Sequence, residues 1–214
     1  VKYKEYISDF SMDQAKAFIR KICDYAETYK DTFIGFDNDN IPTQLGIERY
    51  GALAKRAGEL GVTLALENTE GEEYFDALMN AFRNEKSVGF CWDTGHELCY
   101  NRGRNLMADY GDRLVATHLN DNLGVRDFDG KITYIDDLHL LPFDGISDWN
   151  AIAERLAASP FDGPLTFELN PVSKPGRHEN DKYSDMPIER YISEAYSRAC
   201  RVAALFIKAK ENLK

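Results

Sequence analysis

The sequence predicts an α/β fold built on a parallel sheet. Three observations carry that prediction. Short apolar runs rich in Val, Ile, Phe and Leu alternate with longer segments of helical spacing. The alternation runs on without a low-complexity linker or a break in composition. Four consecutive apolar runs end in Glu, Asp or His. Strands separated by helices pair in parallel, and such sheets bind ligands at their C-terminal edge.

The elements follow in chain order. Over 11–29, Ala15, Phe18, Ile19, Ile22, Cys23 and Ala26 share one helical face behind a capping Ser11. TFIGF at 32–36 reads as a strand. Residues 43–60 read as a helix with Leu45, Ile47, Tyr50, Leu53 and Ala57 inward and Gly61 as its stop. VTLALEN (62–68) is a strand, 72–84 a helix, SVGFCWD (87–93) a strand and 102–110 a helix. LVATHLND (114–121) is a strand, followed by a long loop over 121–146 with Gly124, Gly130, Pro142 and Gly145. Helix 147–158 takes Ser147 or Asp148 as its cap. PLTFEL (164–169) is a strand. A polar loop with Pro171, Pro175 and Pro187 carries Lys174, Arg177 and His178, three residues expected in a mobile surface segment, and leads into a last helix over 188–211. Five strands suit an open α/β sheet as well as part of a closed barrel, which needs eight, and the pattern alone does not choose.

At 214 residues and 43% hydrophobic content, the chain reads as one globular domain spanning 1–214. No apolar run approaches the ~20 residues that span a bilayer, and no signal peptide opens the sequence. The first residue is Val, so the start of the natural chain is expected upstream. A net charge of −10 repels phosphate backbones and counts against nucleic acid as a partner. Cys23, Cys91, Cys99 and Cys200 form no CxxC pair, which fits a reducing, cytoplasmic setting. No GxGxxG, P-loop, GxSxG or HExxH pattern is present.

The strand ends hold the chemical signal. Glu67 closes TLALE, Asp93 closes GFCWD, His118 closes VATH and Glu168 closes LTFE. Any one of these carboxylates, taken alone, reads equally well as a helix cap. Three carboxylates on one rim repel one another unless a positive charge sits between them, and a divalent cation is the simplest such charge. Oxygen and imidazole donors suit Mn²⁺, Mg²⁺, Co²⁺ or Zn²⁺, and the lack of thiolate ligands disfavours a structural zinc site. His96 follows Asp93 by three residues, with Gly95 expected to let the chain turn tightly between them. Asn68, Asp121 and Arg126 are candidate substrate contacts, each with a plain reading as a cap or surface residue. Asp137 and His139 lie in the long loop, where the alternative is an ordinary polar surface. Trp92 faces away from Asp93 on its strand and is expected to pack under helices.

LALENT, GFCWDTGHE, ATHLNDN, DLHLLPFDGISDW and LTFELN, in this order, resemble successive motifs of the xylose isomerase-like TIM-barrel superfamily, the sugar phosphate isomerase/epimerase and AP endonuclease family 2 group. The resemblance covers roughly residues 30–210. It implies a (β/α)₈ barrel of which strands 4 to 8 are recognisable and the first three βα units are not. A complete barrel of this type would extend at least about 60 residues further at its N-terminus. The resemblance also implies one divalent metal held by Glu67, Asp93, His118 and Glu168, with Glu67 and Glu168 exchanging the substrate proton. His96 is then a substrate contact, or joins Asp137 and His139 around a second metal. The expected activity is a metal-dependent isomerase or epimerase of a sugar, sugar phosphate or related keto-polyol, with a dehydratase as a variant of the same opening step. The expected partner is a small carbohydrate, and a homo-oligomer is left open. Two alternatives stand beside it: an endonuclease IV-like phosphodiesterase on abasic DNA, and a truncated, non-catalytic metal-binding chain. TFIGFDND lacks the histidine that the nuclease would carry on strand 4.

Overall fold

The computed structural model describes residues 42–125 and 132–213. The predicted helix 11–29, the strand 32–36 and Arg126 lie outside the described residues. Contacts divide the chain into Val1–Tyr50 and Gly51–Lys214. Helix α1 (Gln44–Glu59) runs through the division, and every later element belongs to the second unit. Its end follows from Gly61, whose φ of 66° is left-handed. Val62 N–H donates to Ala57 O and Gly61 N–H to Gly58 O, the paired bonds of a Schellman stop. The inward face differs from expectation. Leu45 and Leu53 are exposed, and Ala54 is buried instead, with Ser87 Oγ donating to its carbonyl at 2.6 Å. A small residue lets the helix approach that hydroxyl, and the buried face turns by one residue.

Strands β1 (Leu64–Glu67), β2 (Val88–Asp93) and β3 (Leu114–His118) form one parallel sheet in the order β1-β2-β3. Glu67 pairs with Cys91 and Asp93 with His118, so the polar strand ends share one edge. The register slips between Phe90 and Cys91, whose partners are Leu114 and Ala116, leaving Val115 as the extra residue. The predicted strand 164–169 contributes a single parallel bridge, Leu119 with Phe167, together with a bond from Leu119 N–H to Thr166 O. Thr117 ties the same segment down, its hydroxyl accepting from Thr166 N–H at 3.0 Å. Glu168 therefore reaches the same edge without a full strand behind it.

The helices lie between the strands as the alternation predicts. Helix α2 (Glu72–Ala81) packs Phe75 against Phe90 of β2. Helices α3 (Thr94–Cys99) and α4 (Leu106–Tyr110) follow β2, and α4 is shorter than the predicted 102–110 because Asn105 caps it. Trp92 is fully buried. Its indole donates to Glu97 of α3, and Arg155 of α5 (Trp149–Ala158) stacks over the ring. Of the two caps foreseen for α5, Asp148 is the one used. The short α6 (Asp181–Ser184) precedes the long α7 (Ile188–Asn212). Ala153 and Ala157 of α5 meet Ala209 of α7, small residues that bring the two helices close. A second core gathers Leu138, Leu140 and Leu141 of the long loop under Tyr183 and Tyr191. No helix of the described residues is long and apolar enough to cross a membrane.

Asp144 anchors the long loop to α6 and α7. It accepts from Tyr183 Oη and faces Arg198 at 2.6 Å and Lys182 at 3.1 Å. Burial raises its carboxyl, but the bonds from Arg198, Tyr183 and Lys182 win and hold it below the ordinary 3.8. A depressed carboxyl stabilises the fold above its unfolded pKa, and that contribution is lost as pH falls through the folded value. The stability gap between wild type and Asp144→Asn is therefore expected to stay constant over roughly pH 5 to 8 and to shrink below about pH 4. Urea midpoints measured across that range check it.

Candidate metal centre

Three of the four side chains are delivered by the same local logic. The strand climbs to the C-terminal edge, and its last residue lies at the shared rim. Donor atoms of Glu67, Asp93, His118 and Glu168 all lie within 4.8 Å of one another. His118 Nδ1 is 3.2 Å from Glu67 Oε1 and 2.8 Å from Glu168 Oε2. The four sites form a depth gradient: side-chain exposure is 0% for Asp93, 25% for Glu67, 33% for His118 and 47% for Glu168. Asp93 is the floor and Glu168 the mouth.

A second group overlaps the first. Donor atoms of Asp93, His96 and His139 also lie within 4.8 Å of one another. His96 Nδ1 is 3.2 Å from Glu67 Oε1, and its Nε2 is 3.4 Å from Asp137 Oδ2. His139 Nδ1 is 3.5 Å from Asp137 Oδ1, and its Nε2 is 3.7 Å from Glu168 Oε1. Asp137 and His139 are thus buried at the rim, and the ordinary-surface reading of both is set aside. His139 holds a left-handed φ of 50° while its carbonyl accepts from Asn170 N–H, a strained backbone fixed by its surroundings.

The electrostatics follow from this crowding. Burial pushes the Asp93 carboxyl up to about 7 against the opposing pull of His96 and its N–H donors. Burial lowers His96, but Asp137 and Glu67 outweigh it and raise the imidazole to about 10. Burial raises Glu67, yet His96 and His118 leave it below the ordinary range. Burial depresses His139. The acids of the rim thus favour the charged form of His96.

The residues fit a divalent cation. Glu67 Oε1, His96 Nδ1, His118 Nδ1, Asp137 Oδ1 and His139 Nε2 are all buried and, among the described residues, make no well-aligned hydrogen bond. Buried polar atoms are almost always bonded, so five such atoms around one rim mark a place where a cation would supply the missing partner. Oxygen and imidazole nitrogen are the donor types that Mn²⁺, Mg²⁺, Co²⁺ and Zn²⁺ accept.

Two expected contacts and one expected turn are corrected. Asn68 does not face the rim: its amide donates to Asp93 O and Asn101 Oδ1, and its oxygen accepts from Asp93 N–H. It joins the turn after β1 to the end of β2. Asp121 is fully buried on the other side of its strand, accepting from the backbone N–H of Asn122, Phe143 and Ser147 and from Trp149 Nε1. It folds the long loop rather than meeting substrate. Gly95 lies inside α3, and its absent side chain answers a close approach: a Cβ there would fall 1.9 Å from Asn120 Oδ1. Asn120, which HLND places just beyond His118 near the rim but which is not among the candidate contacts, lies against Asp93. Strand alternation held the clue, because His118 and Asn120 share a side and Asp121 does not. Arg177 is likewise not a surface residue. It is buried, bonding Ile135 O, Asp136 and Glu179, and it holds the Lys174 loop so that Lys174 Nζ stands 3.8 Å from Asp137. His178 is a surface residue, as expected.

The sequence matches the family described as Xylose isomerase-like TIM barrel over residues 8–187. This chain belongs to that family, and its parallel sheet with polar strand ends is part of that barrel type. An uncharacterised protein, y4fM, of Sinorhizobium fredii (strain NBRC 101917 / NGR234) is 29% identical over 187 residues, which cover 85% of this chain and 51% of that protein. The chain thus spans about half the length of this curated relative. Among solved structures, a xylose isomerase domain protein from Alicyclobacillus acidocaldarius aligns with a TM-score of 0.52 at 20% identity, over 78% of this chain and 58% of its own. A xylose isomerase-like TIM barrel/4-hydroxyphenylpyruvate dioxygenase fusion protein aligns with a TM-score of 0.52 at 14% identity, over 82% of this chain and 30% of its own. At these identities the likeness is one of fold.

The position of Asp121 gives a stability prediction. Asp121→Ala strands the N–H groups of Phe143, Ser147 and Trp149 in the interior and is expected to cost about 3 kcal/mol. A urea midpoint unchanged from wild type would return Asp121 to the list of substrate contacts.

Proposed function

We propose that this chain carries the active site of a metal-dependent isomerase or epimerase acting on a sugar, sugar phosphate or related keto-polyol. The observation that supports this reading is the convergence of Glu67, Asp93, His118 and Glu168 donors within 4.8 Å at the C-terminal edge of a parallel sheet. Those four residues would hold one divalent ion. When bound, it supplies Lewis-acid stabilisation of the negative charge that develops on a substrate carbonyl as the neighbouring carbon loses its proton.

The chain's own residues do the rest. Glu67 and Glu168 stand 3.2 and 2.8 Å from His118 Nδ1, two carboxylates close to one centre. One takes the proton from the carbon beside the carbonyl, breaking a C–H bond and leaving the enediolate. The other enters the step protonated and gives its proton to a carbon of the enediolate; exchange with solvent then deprotonates the first carboxyl and reprotonates the second, which closes the proton count over the cycle. Asp93 cannot share this duty, because it is wholly buried and its oxygens face the His96 N–H and the Asn120 amide. His96 lies beside Glu67 and is assigned to a substrate hydroxyl. Holding these groups at one sheet edge supplies orientation, which lowers the barrier without new chemistry.

A second reading, phosphodiester hydrolysis of the endonuclease IV kind, draws on the overlapping Asp93, His96 and His139 group with Asp137 beside it. The net charge of −10 opposes a DNA substrate. Metal analysis separates the two: one ion per chain accompanies the isomerase, and three zinc ions accompany the nuclease.

Glu168→Gln keeps the side-chain shape and removes the proton carrier. It is expected to slow solvent-deuterium incorporation into a ketose substrate by at least about 100-fold while leaving the fold intact. Exchange at the wild-type rate in that variant would remove Glu168 from the proposed chemistry.

A further inference from the structure

We infer that Asn120 is a positioning residue for the metal ligand Asp93, and that Gly95 is glycine so that Asn120 can reach it; the inference rests on the metal-site reading above. The three residues that open the DTG segment each touch Asn120. Asp93 receives the Asn120 amide on both carboxylate oxygens, at 3.1 and 2.9 Å. Thr94 locks the Asn120 backbone from both sides: its hydroxyl donates to Asn120 O at 2.7 Å and accepts from Asn120 N–H at 3.0 Å. Gly95 offers the amide oxygen of Asn120 a surface without a side chain, where a Cβ would sit 1.9 Å from Oδ1 and 2.9 Å from Cγ.

The chemistry of the amide suits the task. Asp93 is fully buried and must be oriented without adding charge to a rim already crowded with acids. A carboxamide donates to both oxygens and leaves the rim's net charge unchanged. With the His96 N–H on Oδ1 at 2.7 Å, it fixes the carboxylate plane and so fixes which lone pairs remain for an ion. The loop after β3 thereby sets the geometry of a ligand on β2. Asn120 itself is fully buried, its Oδ1 has no hydrogen-bond partner among the described residues, and the close fit to Gly95 limits where that end of the amide can go.

Gly95 lies in a helix, where alanine is ordinarily the better residue, so the glycine needs a reason. The test is a double-mutant cycle on Mn²⁺ affinity, read by EPR of free Mn²⁺, with melting curves of the metal-free proteins alongside. Asn120→Ala is expected to weaken Mn²⁺ binding by about 10- to 100-fold. Gly95→Ala, which keeps the amide but pushes it off Asp93, is expected to do the same. In the Asn120→Ala background, Gly95→Ala has room for its methyl group and is expected to cost nothing further. A merely structural role would lower the melting temperature and leave Mn²⁺ affinity unchanged, and would overturn the inference, as would additive losses in the double variant. Wild type that binds no Mn²⁺ overturns both this inference and the metal-site reading. Wild type that binds Mn²⁺ but exchanges no ketose proton overturns the isomerase alone, and the cycle still decides the role of Asn120.

Discussion

A carboxylate with no exposure to solvent sits at the end of β2, and much of the site is arranged around it. Burying a charge is costly unless it is paired and hydrogen-bonded. Asp93 meets that demand with local and distant donors: the His96 N–H one helical turn on, and the Asn120 amide from the next strand end. Asn68 clamps the Asp93 backbone from the strand on the other side. The parallel order β1-β2-β3 puts Asp93 between both neighbours, which is why the floor of the site is the middle strand.

Above that floor the constraint is repulsion. Glu67, Asp137 and Glu168 converge with His96, His118 and His139, and several of their buried atoms find no hydrogen bond among the described residues. A protein that only needed stability would not keep such a rim, since an unsatisfied buried group is among the commonest sources of instability. Asp137 and Glu67 favour the charged form of His96, so the acids of the rim stabilise positive charge beside them. The same reasoning links the site to its loops. Asp121 gathers the N–H groups of the 143–149 turn, and Arg177 ties the 174–179 loop to Ile135 and Asp136. Residues well outside the rim therefore set where Asp137, His139 and Lys174 stand.

Much of this was legible in the order of residues. The apolar runs ending in Glu67, Asp93 and His118 became strands, and their last residues met at one edge. Glu168 reached the edge from a segment that pairs by one bridge, so its position was legible although its secondary structure was not. The capping reading of Asp93 holds, and its carboxylate also lies within 4.8 Å of the Glu67, His118 and Glu168 donors. The face of α1 was misread because a count of apolar residues favours Leu53, whereas close approach to Ser87 favours Ala54. Asn68 and Asp121 were misread because each is a polar residue beside a ligand, and adjacency in sequence says nothing about which way a side chain turns.

The sequence by itself determined which residue types arrive at the C-terminal edge, because apolar periodicity places strand ends and strand ends place their last side chains. Only the tertiary structure decided how neighbours divide the work. In HLND, Asn120 turns to Asp93 and Asp121 turns to the long loop. In DTGHE, Glu97 turns to Trp92 and Arg155 while His96 turns to the acids. Gly95 looked like a turn residue and is instead the space that Asn120 occupies. The physical reason is range. Periodicity is a local property of a few residues, whereas burial, charge pairing and close approach depend on atoms brought together from distant parts of the chain.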